Sequence, residues 1–378
     1  MSLLTEEQVM LRDSARGWVQ ANAPVSAFRK MRDSGNAKGF DDATFKSIAE
    51  MGWTGVVIPE AYGGSEFGYR SIGVVLEELG RKVVAAPLIG SAVGAASALI
   101  LGGTEAQKKA WLPKIAEGTA IAALAIDEGP RYAPEKIALA AAKKGNGYAL
   151  SGGKTFVHEG MAANVFVVAA RTSGKPGDDK GITLFLVPAD AKGLSRSRRE
   201  LMDSRGYADL TFKDVEVGAD AVIGQADAGK PLLDKVLDRA TAAAAAEQMG
   251  LAQQAFETTV EYMKTRVQFG QLIGSFQALQ HRAAYLFTAM QLARPTVDAA
   301  LQAIDDDADD VSELVSLAKA TANDFVNYAT REMIQLHGGI GMTDAHDAGF
   351  YIKRARVLEA SFGSSAYHRE RYARLLGI

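Results

Sequence analysis

The sequence predicts an α+β fold in three parts: an N-terminal helical domain over residues 1–119, a middle antiparallel β domain over 120–228, and a C-terminal four-helix bundle over 229–378. Three observations carry this. Apolar residues recur at helical spacing through the first third of the chain. Between Ala120 and Val222 the period drops to two, and Gly- and Asn-rich turns punctuate it. From about Gly229 the helical period returns and persists to the end.

The first part opens with a capping box, Thr5 with Gln8, and a Leu4–Val9 staple, so a helix should run to about Ala23. Met1-Ser2-Leu3 are set aside. Shorter helices follow at about Asp42–Met51 and Ser71–Leu79, separated by the Gly-rich loop Tyr62-Gly63-Gly64-Ser65. Two more are expected at Ile89–Leu101 and Glu105–Glu117. In the middle part, Lys144-Gly145-Asn146-Gly147 and Ser151-Gly152-Gly153 read as tight turns. Strand-like runs are Asn164–Ala170, Gly181–Pro188 and Leu210–Val217. In the last part, Phe276, Leu279, Ala283, Leu286, Met290, Ala293, Val297 and Ala300 alternate steps of three and four, which is a bundle seam. Pro295 should kink that helix. After an acidic turn at Asp305–Asp310, Ala318, Ala322, Phe325, Ala329, Met333 and Leu336 form the next stripe, and four long helices in sequence imply an antiparallel bundle.

Composition narrows the function. The chain has 378 residues, 48% hydrophobic and 23% charged, with a formal net charge of −3. That balance gives no reason to expect nucleic acid or an acidic membrane as partner. The local basic group Arg196, Arg198 and Arg199 reads as a solvated loop. There are no cysteines, which excludes disulfides, thiolate metal sites and cysteine nucleophiles and fits a cytoplasmic protein. Five histidines without an HExxH-type pair argue against a metal enzyme. No signal peptide or membrane span is recognisable, and the run Ala240–Ala246 is too short to be one.

Two C-terminal motifs point to chemistry. One is Tyr262-Met263-Lys264-Thr265-Arg266-Val267-Gln268-Phe269-Gly270 with Ile273 and Phe276-Gln277; the other is Gln335-Leu336-His337-Gly338-Gly339-Ile340-Gly341-Met342. With Ile58-Pro59-Glu60-Ala61-Tyr62-Gly63-Gly64 and Gly102-Gly103-Thr104-Glu105-Ala106-Gln107-Lys108, they resemble the acyl-CoA dehydrogenase family over essentially the whole chain. The resemblance implies FAD as cofactor, an acyl-CoA substrate and an electron-transfer flavoprotein as electron acceptor. It also implies that Arg266 reaches a neighbouring subunit's FAD pyrophosphate, a role suited to a permanently charged, multidentate guanidinium. Phe269 would pack on the cofactor, Gln277 and Gln335 would add polar contacts, and Gly338-Gly339 would let backbone approach it. Taken singly, these are a surface Arg, a core Phe and a helix-ending Gly pair. His337 reads as a satisfied structural histidine.

The match breaks at the catalytic base. The family takes the Cα proton with a glutamate near the chain end or near the start of the first bundle helix. Those positions align with Phe362 and Ala240, neither of which accepts a proton. The arginine that usually follows aligns with Thr241. The flavin-contacting stretch reads Ala123-Leu124-Ala125-Ile126-Asp127-Glu128-Gly129, without the usual hydroxyls, and Trp-Ile-Thr becomes Phe156-Val157-His158. His158 is a candidate donor to a flavin edge or an exposed loop residue. Glu247, Glu359 and Asp238 are substitute bases to weigh; for Glu247 the plainer expectation is an ion pair with a bundle arginine such as Arg282. The end Leu358-Glu359-Ala360-Ser361-Phe362-Gly363 looks like the small subunit of pimeloyl-CoA dehydrogenases. That likeness implies an accessory subunit acting with a glutamate-bearing paralogue in a heterotetramer; a homodimer or tetramer is the other arrangement. Two further functions fit the missing base: a flavin-dependent monooxygenase of the same fold, or a non-catalytic subunit that completes a partner's FAD site.

Overall fold

The computed structural model describes residues 4–378, so the three residues set aside above lie outside the described residues. In chain order the helices and strands begin with α1 (Glu6–Asn22), α2 (Val25–Asp33), α3 (Asp42–Glu50) and α4 (Gly68–Arg81). A π-helical stretch, Leu88–Ala95, leads into α5 (Ala96–Gly102), and α6 (Glu105–Ala116) follows. Eight strands come next: β1 (Ala122–Ala125), β2 (Ala140–Lys144), β3 (Gly147–Val157), β4 (Val165–Arg171), β5 (Ile182–Pro188), β6 (Leu194–Arg199), β7 (Tyr207–Val217) and β8 (Val222–Ile223). The remainder is α7 (Lys230–Thr265), a hairpin of β9 (Val267–Gln268) and β10 (Gln271–Leu272), then α8 (Gln277–Asp305), α9 (Val311–His337), α10 (Ala348–Ala360) and α11 (Ser365–Leu375). Helices, sheet and bundle thus follow in the predicted order. No helix among the described residues is long and apolar enough to cross a membrane. Contacts divide the chain into two compact units, one of Met1–Arg29, Tyr69–Val84 and Thr241–Ile378, the other of Lys30–Gly68 and Ala85–Ala240.

The second unit is built on one sheet in the order β6-β7-β3-β2-β4-β5-β8, with β1 beside β4. Most pairs are antiparallel, but β1 and β4 run parallel. Strands β1, β4 and β5 are nearly all apolar and buried on both faces, and a buried parallel pairing suits such strands. Ser151-Gly152-Gly153 is not a turn. It lies inside β3, where Gly152, at φ +139°, absorbs a register shift against β7. Nor are the three arginines a solvated loop. They sit on β6, where Arg196 donates to the Gly160 and Ala163 carbonyls and Arg199 pairs with Asp209 at 2.6 Å. Charge on an edge strand also blocks edge-to-edge association.

In the first unit α9 packs against α8, α10 and α11. The capping box at Thr5 forms as expected, and a second one forms at Thr104 and Gln107 in the other unit. Helix α8 runs without a break through Pro295. Pro295 and Gln291, whose carbonyl loses its donor, are both exposed, so the freed oxygen meets solvent.

Helices α4 and α7 meet almost backbone to backbone. A Cβ on Gly80 would lie 2.4 Å from the Glu247 carbonyl oxygen, and one on Gly250 would lie 1.8 Å from that of Glu77. Ion pairs rim this crossing: Arg16 with Glu78 at 2.7 Å, Arg294 with Glu77 at 2.7 Å, and Arg81 with Glu257. Gly250→Ala should therefore force the helices apart and destabilise by about 1–3 kcal/mol or more. Gly349→Ala, on α10 with nothing near the new methyl, should be neutral or stabilising by up to about 1 kcal/mol. Chemical denaturation of the two variants checks the contrast; equal effects would contradict the close crossing.

Candidate functional site

Both C-terminal motifs come together at one end of the first unit. Met263, Ile273 and Leu336 form a small buried cluster, with Tyr262, Phe276, Leu279 and Ala283 packed on it. The cluster fixes the β9–β10 hairpin against the end of α9. Arg266 leads into the hairpin, Phe269 sits at its tip at φ +53°, and Gln277 starts α8. Phe269 is 92% exposed and touches Phe276 edge-on. The helix α9 ends at Gly338, whose φ of +64° and ψ of −142° suit only glycine. Positions 338 and 339 face open space. Arg266, Gln277 and Gln335 are exposed, and among the described residues their side chains make no hydrogen bond. A free guanidinium, two free amides and two open glycines fit the phosphates and edges of a dinucleotide. His337 is buried, with Nδ1 2.7 Å from the Met333 carbonyl, which satisfies it.

The two positions that the sequence aligned with the base, Ala240 and Phe362, are both buried. Ala240 opens a run, Ala240 to Ala246, of which no residue is more than 2% exposed. Phe362 is 7% exposed and adopts φ +57°. Its turn is pinned by polar groups: His368 Nε2 meets the Phe362 carbonyl at 2.7 Å, and Asn323 donates to that of Gly363 at 3.3 Å. Lys319 donates to Leu358 O and Asn323 Oδ1, both at 2.7 Å. Complete burial brings the Lys319 ammonium down to about 7, and burial holds the His368 imidazole at about 3. Glu247 is paired, as its plainer reading expected, but with Arg354 and not Arg282. Two bonds of 2.8 Å join them, while Arg282 takes Glu332. Helix geometry explains the change: α10 crosses α7 at Glu247, and the α8 arginine faces α9. Glu359 is held by Arg356 at 2.6 Å, and Asp238 is buried.

In the second unit the segment after β1 carries a group that the sequence reading passed over. The Oδ1 of Asp127 is enclosed and has no hydrogen-bond partner among the described residues. Burial raises its carboxyl to about 7, against the pull of the Lys154 ammonium. Lys154, fully buried, bonds instead to the Ile126 carbonyl and to Glu128 at 2.7 Å. Only the acid at position 127 itself signalled this; its isolation is a tertiary property. Phe156 and Glu159 both adopt positive φ, at +52° and +55°. The Phe156 ring carries the Arg199 guanidinium 4.6 Å above it, and His158 packs edge-on against Tyr207.

Comparisons with known proteins match this geometry to one family. Models of the acyl-CoA dehydrogenase N-terminal, middle and C-terminal domains match residues 5–119, 127–215 and 227–377. The chain is 31% identical to mitochondrial isovaleryl-CoA dehydrogenase of Pongo abelii, over 97% of its own length and 88% of the relative's. It is also 31% identical to the probable acyl-CoA dehydrogenase YngJ of Bacillus subtilis, over 99% and 98%. The butyryl-CoA dehydrogenase structure from Megasphaera elsdenii superposes with a TM-score of 0.91 at 25% identity, covering 100% of both chains. The chain belongs to the acyl-CoA dehydrogenase family. It is an oxidoreductase acting on CH–CH bonds, and the reaction is FAD-dependent oxidation of an acyl-CoA.

These matches overturn the accessory-subunit expectation. That expectation rested on six residues near the chain end, whereas all three family domains, including the C-terminal bundle, are present.

The Asp127 carboxyl yields a pH prediction. Its native state holds a proton that the unfolded chain releases near the ordinary aspartate value, so stability should fall as pH rises from about 4 to about 7. Asp127→Asn should remove that loss and melt higher than the parent at pH 8, with little difference at pH 4. Thermal melts at both pH values check this; a lower melt at pH 8 would contradict it.

Proposed function

We propose that this chain removes the α and β hydrogens of an acyl-CoA thioester within an oligomer whose subunits share each FAD site, and that the electrons leave to an electron-transfer flavoprotein. One observation carries the reading: Arg266, Gln277 and Gln335 stand unpaired beside the open glycines Gly338 and Gly339, at the end where both motifs pack together. In this reading Arg266 balances the pyrophosphate charge of a neighbour's cofactor. Gln277 and Gln335 orient its polar edges, and Phe269 covers an apolar part. When bound, FAD would supply the hydride acceptor for the Cβ hydrogen.

The Cα proton needs a separate acceptor, and a positioned base is worth roughly 10²–10⁴ in rate. Phe362 and Ala240 offer none. Glu247 is a poor substitute, because its carboxylate is neutralised by Arg354. We therefore place the acceptor outside these three positions. Neighbouring subunits are copies of this chain or a glutamate-bearing paralogue, and flavin stoichiometry of the purified assembly separates the two.

Arg266→Ala should lower the flavin retained per chain, and Arg266→Lys should restore only part of it, since an ammonium lacks the bidentate fork. Flavin absorbance after gel filtration measures both. Anaerobic addition of acyl-CoA thioesters to the flavin-loaded assembly should bleach the flavin; no bleaching across a broad chain-length panel would refute the dehydrogenation.

A further inference from the structure

Three aromatic rings are stacked behind the open glycines. The rings of Tyr262 and His337 lie 4.3 Å apart at 26°, and those of His337 and His346 lie 4.5 Å apart at 46°. Each ring comes from a different segment. Tyr262 is in the last turn of α7 and accepts the Arg266 N–H on its carbonyl at 2.9 Å. His337 is the last residue of α9, directly before Gly338. His346 lies in the loop before α10. The stack therefore ties together the stem that carries Arg266, the stem that carries the glycine pair, and the loop beyond them.

We propose that the Tyr262–His337–His346 stack is a positioning device, which sets Arg266 and Gly338-Gly339 in register for a cofactor's pyrophosphate and does so only while both imidazoles are uncharged. The inference rests on the reading that this end of the unit holds FAD. The hydrogen bonds define the neutral tautomers. His337 Nδ1 lies on a carbonyl, so it carries the proton and donates. His346 Nδ1 accepts the Ala348 N–H at 3.1 Å, so its proton is on Nε2. Protonation of His346 would cost that bond. Protonation of both rings would put like charges on two tilted rings whose centroids lie 4.5 Å apart. Burial and the neighbouring His346 both hold the His337 imidazole below its usual value.

Arg29 from α2 clasps Asp344 and Asp347 of the His346 loop at 3.1 and 2.9 Å, and Arg266 stands beyond the end of α7. Tyr262 is the only other titratable group in the stack. Imidazole is the ordinary side chain that changes charge between about pH 5 and 8. His337 has a lowered pKa, so its neutral form is secure above the usual imidazole value, and the stack weakens as pH falls through and below it.

The test measures flavin retained per chain after gel filtration of the purified assembly, from about pH 5.5 to 8, with circular dichroism as the check on folding. Four proteins are compared: the parent, His337→Ala, the double variant His337→Phe with His346→Phe, and Arg266→Ala. The parent should retain flavin at the alkaline end and lose it severalfold toward the acid end. His337→Ala, which breaks the stack, should lose flavin severalfold at every pH. The double Phe variant keeps the rings and removes the protons, so it should retain flavin with a flat pH profile. A double variant that keeps the parent's profile overturns the inference, as does His337→Ala with parental retention while Arg266→Ala loses flavin. Should His337→Ala fail to fold, the double variant alone decides. If Arg266→Ala retains flavin fully, the shared-site reading fails, and the inference falls with it.

Discussion

Much of the first unit follows from the closeness of α4 and α7. Gly80 and Gly250 each face a carbonyl oxygen of the other helix, with no room for a methyl group. Two helices that approach this closely leave space only for small side chains between them, and Gly80 and Gly250 supply these at the crossing. The same approach fixes what must surround it. Glu247, at the end of that run, is buried and requires a buried cation, and Arg354 supplies it from α10. A buried pair of this kind adds little net stability, because desolvation offsets most of the attraction, but an unpaired partner costs about 3–5 kcal/mol. The pair therefore acts on register: α10 cannot slide along α7 without stranding a charge.

That register extends to the turn at Phe362. Gln248, next to Glu247, donates to Asn323 at 2.7 Å, and Asn323 also receives Lys319 and donates to Gly363. His368 holds the Phe362 carbonyl. The contacts that reach the turn itself, from Lys319, Asn323 and His368, are to the Leu358, Gly363 and Phe362 carbonyls, so they do not depend on the side chain at 362. The turn at Phe362 is thus fixed by its backbone carbonyls.

The readable and unreadable parts of the sequence divide along the same physical line. Long amphipathic helices and the apolar strands β4 and β5 are local patterns, and both were legible. Strand β3 was hidden by Gly152 and Gly153, because a bulge and a turn use the same residue types. Strand β2, with three alanines and two lysines, carries almost no propensity signal. The π-helical stretch at Leu88–Ala95 looks like any apolar helix in sequence. The two C-terminal motifs were legible as a family resemblance, but the partners Arg354 and Lys154 were not, since the contacts that define them are set by tertiary packing. The accessory-subunit inference failed for a related reason: a local likeness at the chain end reports on side-chain chemistry there and says nothing about which domains the chain contains.

The buried ion-pair network of the first unit and its exposed end differ in how their polar groups are partnered, and the contrast bears on what the exposed end is for. Inside, Glu247, Arg354, Lys319 and Asn323 are all bonded, as burial demands. At the end of α9, Arg266, Gln277 and Gln335 are left to solvent, and apolar side chains stand exposed with them: Phe269 at 92%, Met342 at 77% and Ile340 at 44%. Solvated polar groups cost nothing, but exposed Phe and Met do, and a hairpin tip that holds Phe269 at positive φ adds strain. Neither cost serves an isolated subunit. In the proposed assembly both would be offset, because an anionic, partly aromatic ligand and a second protein surface would cover this end and give the unpaired guanidinium, the two amides and the glycine pair their partners.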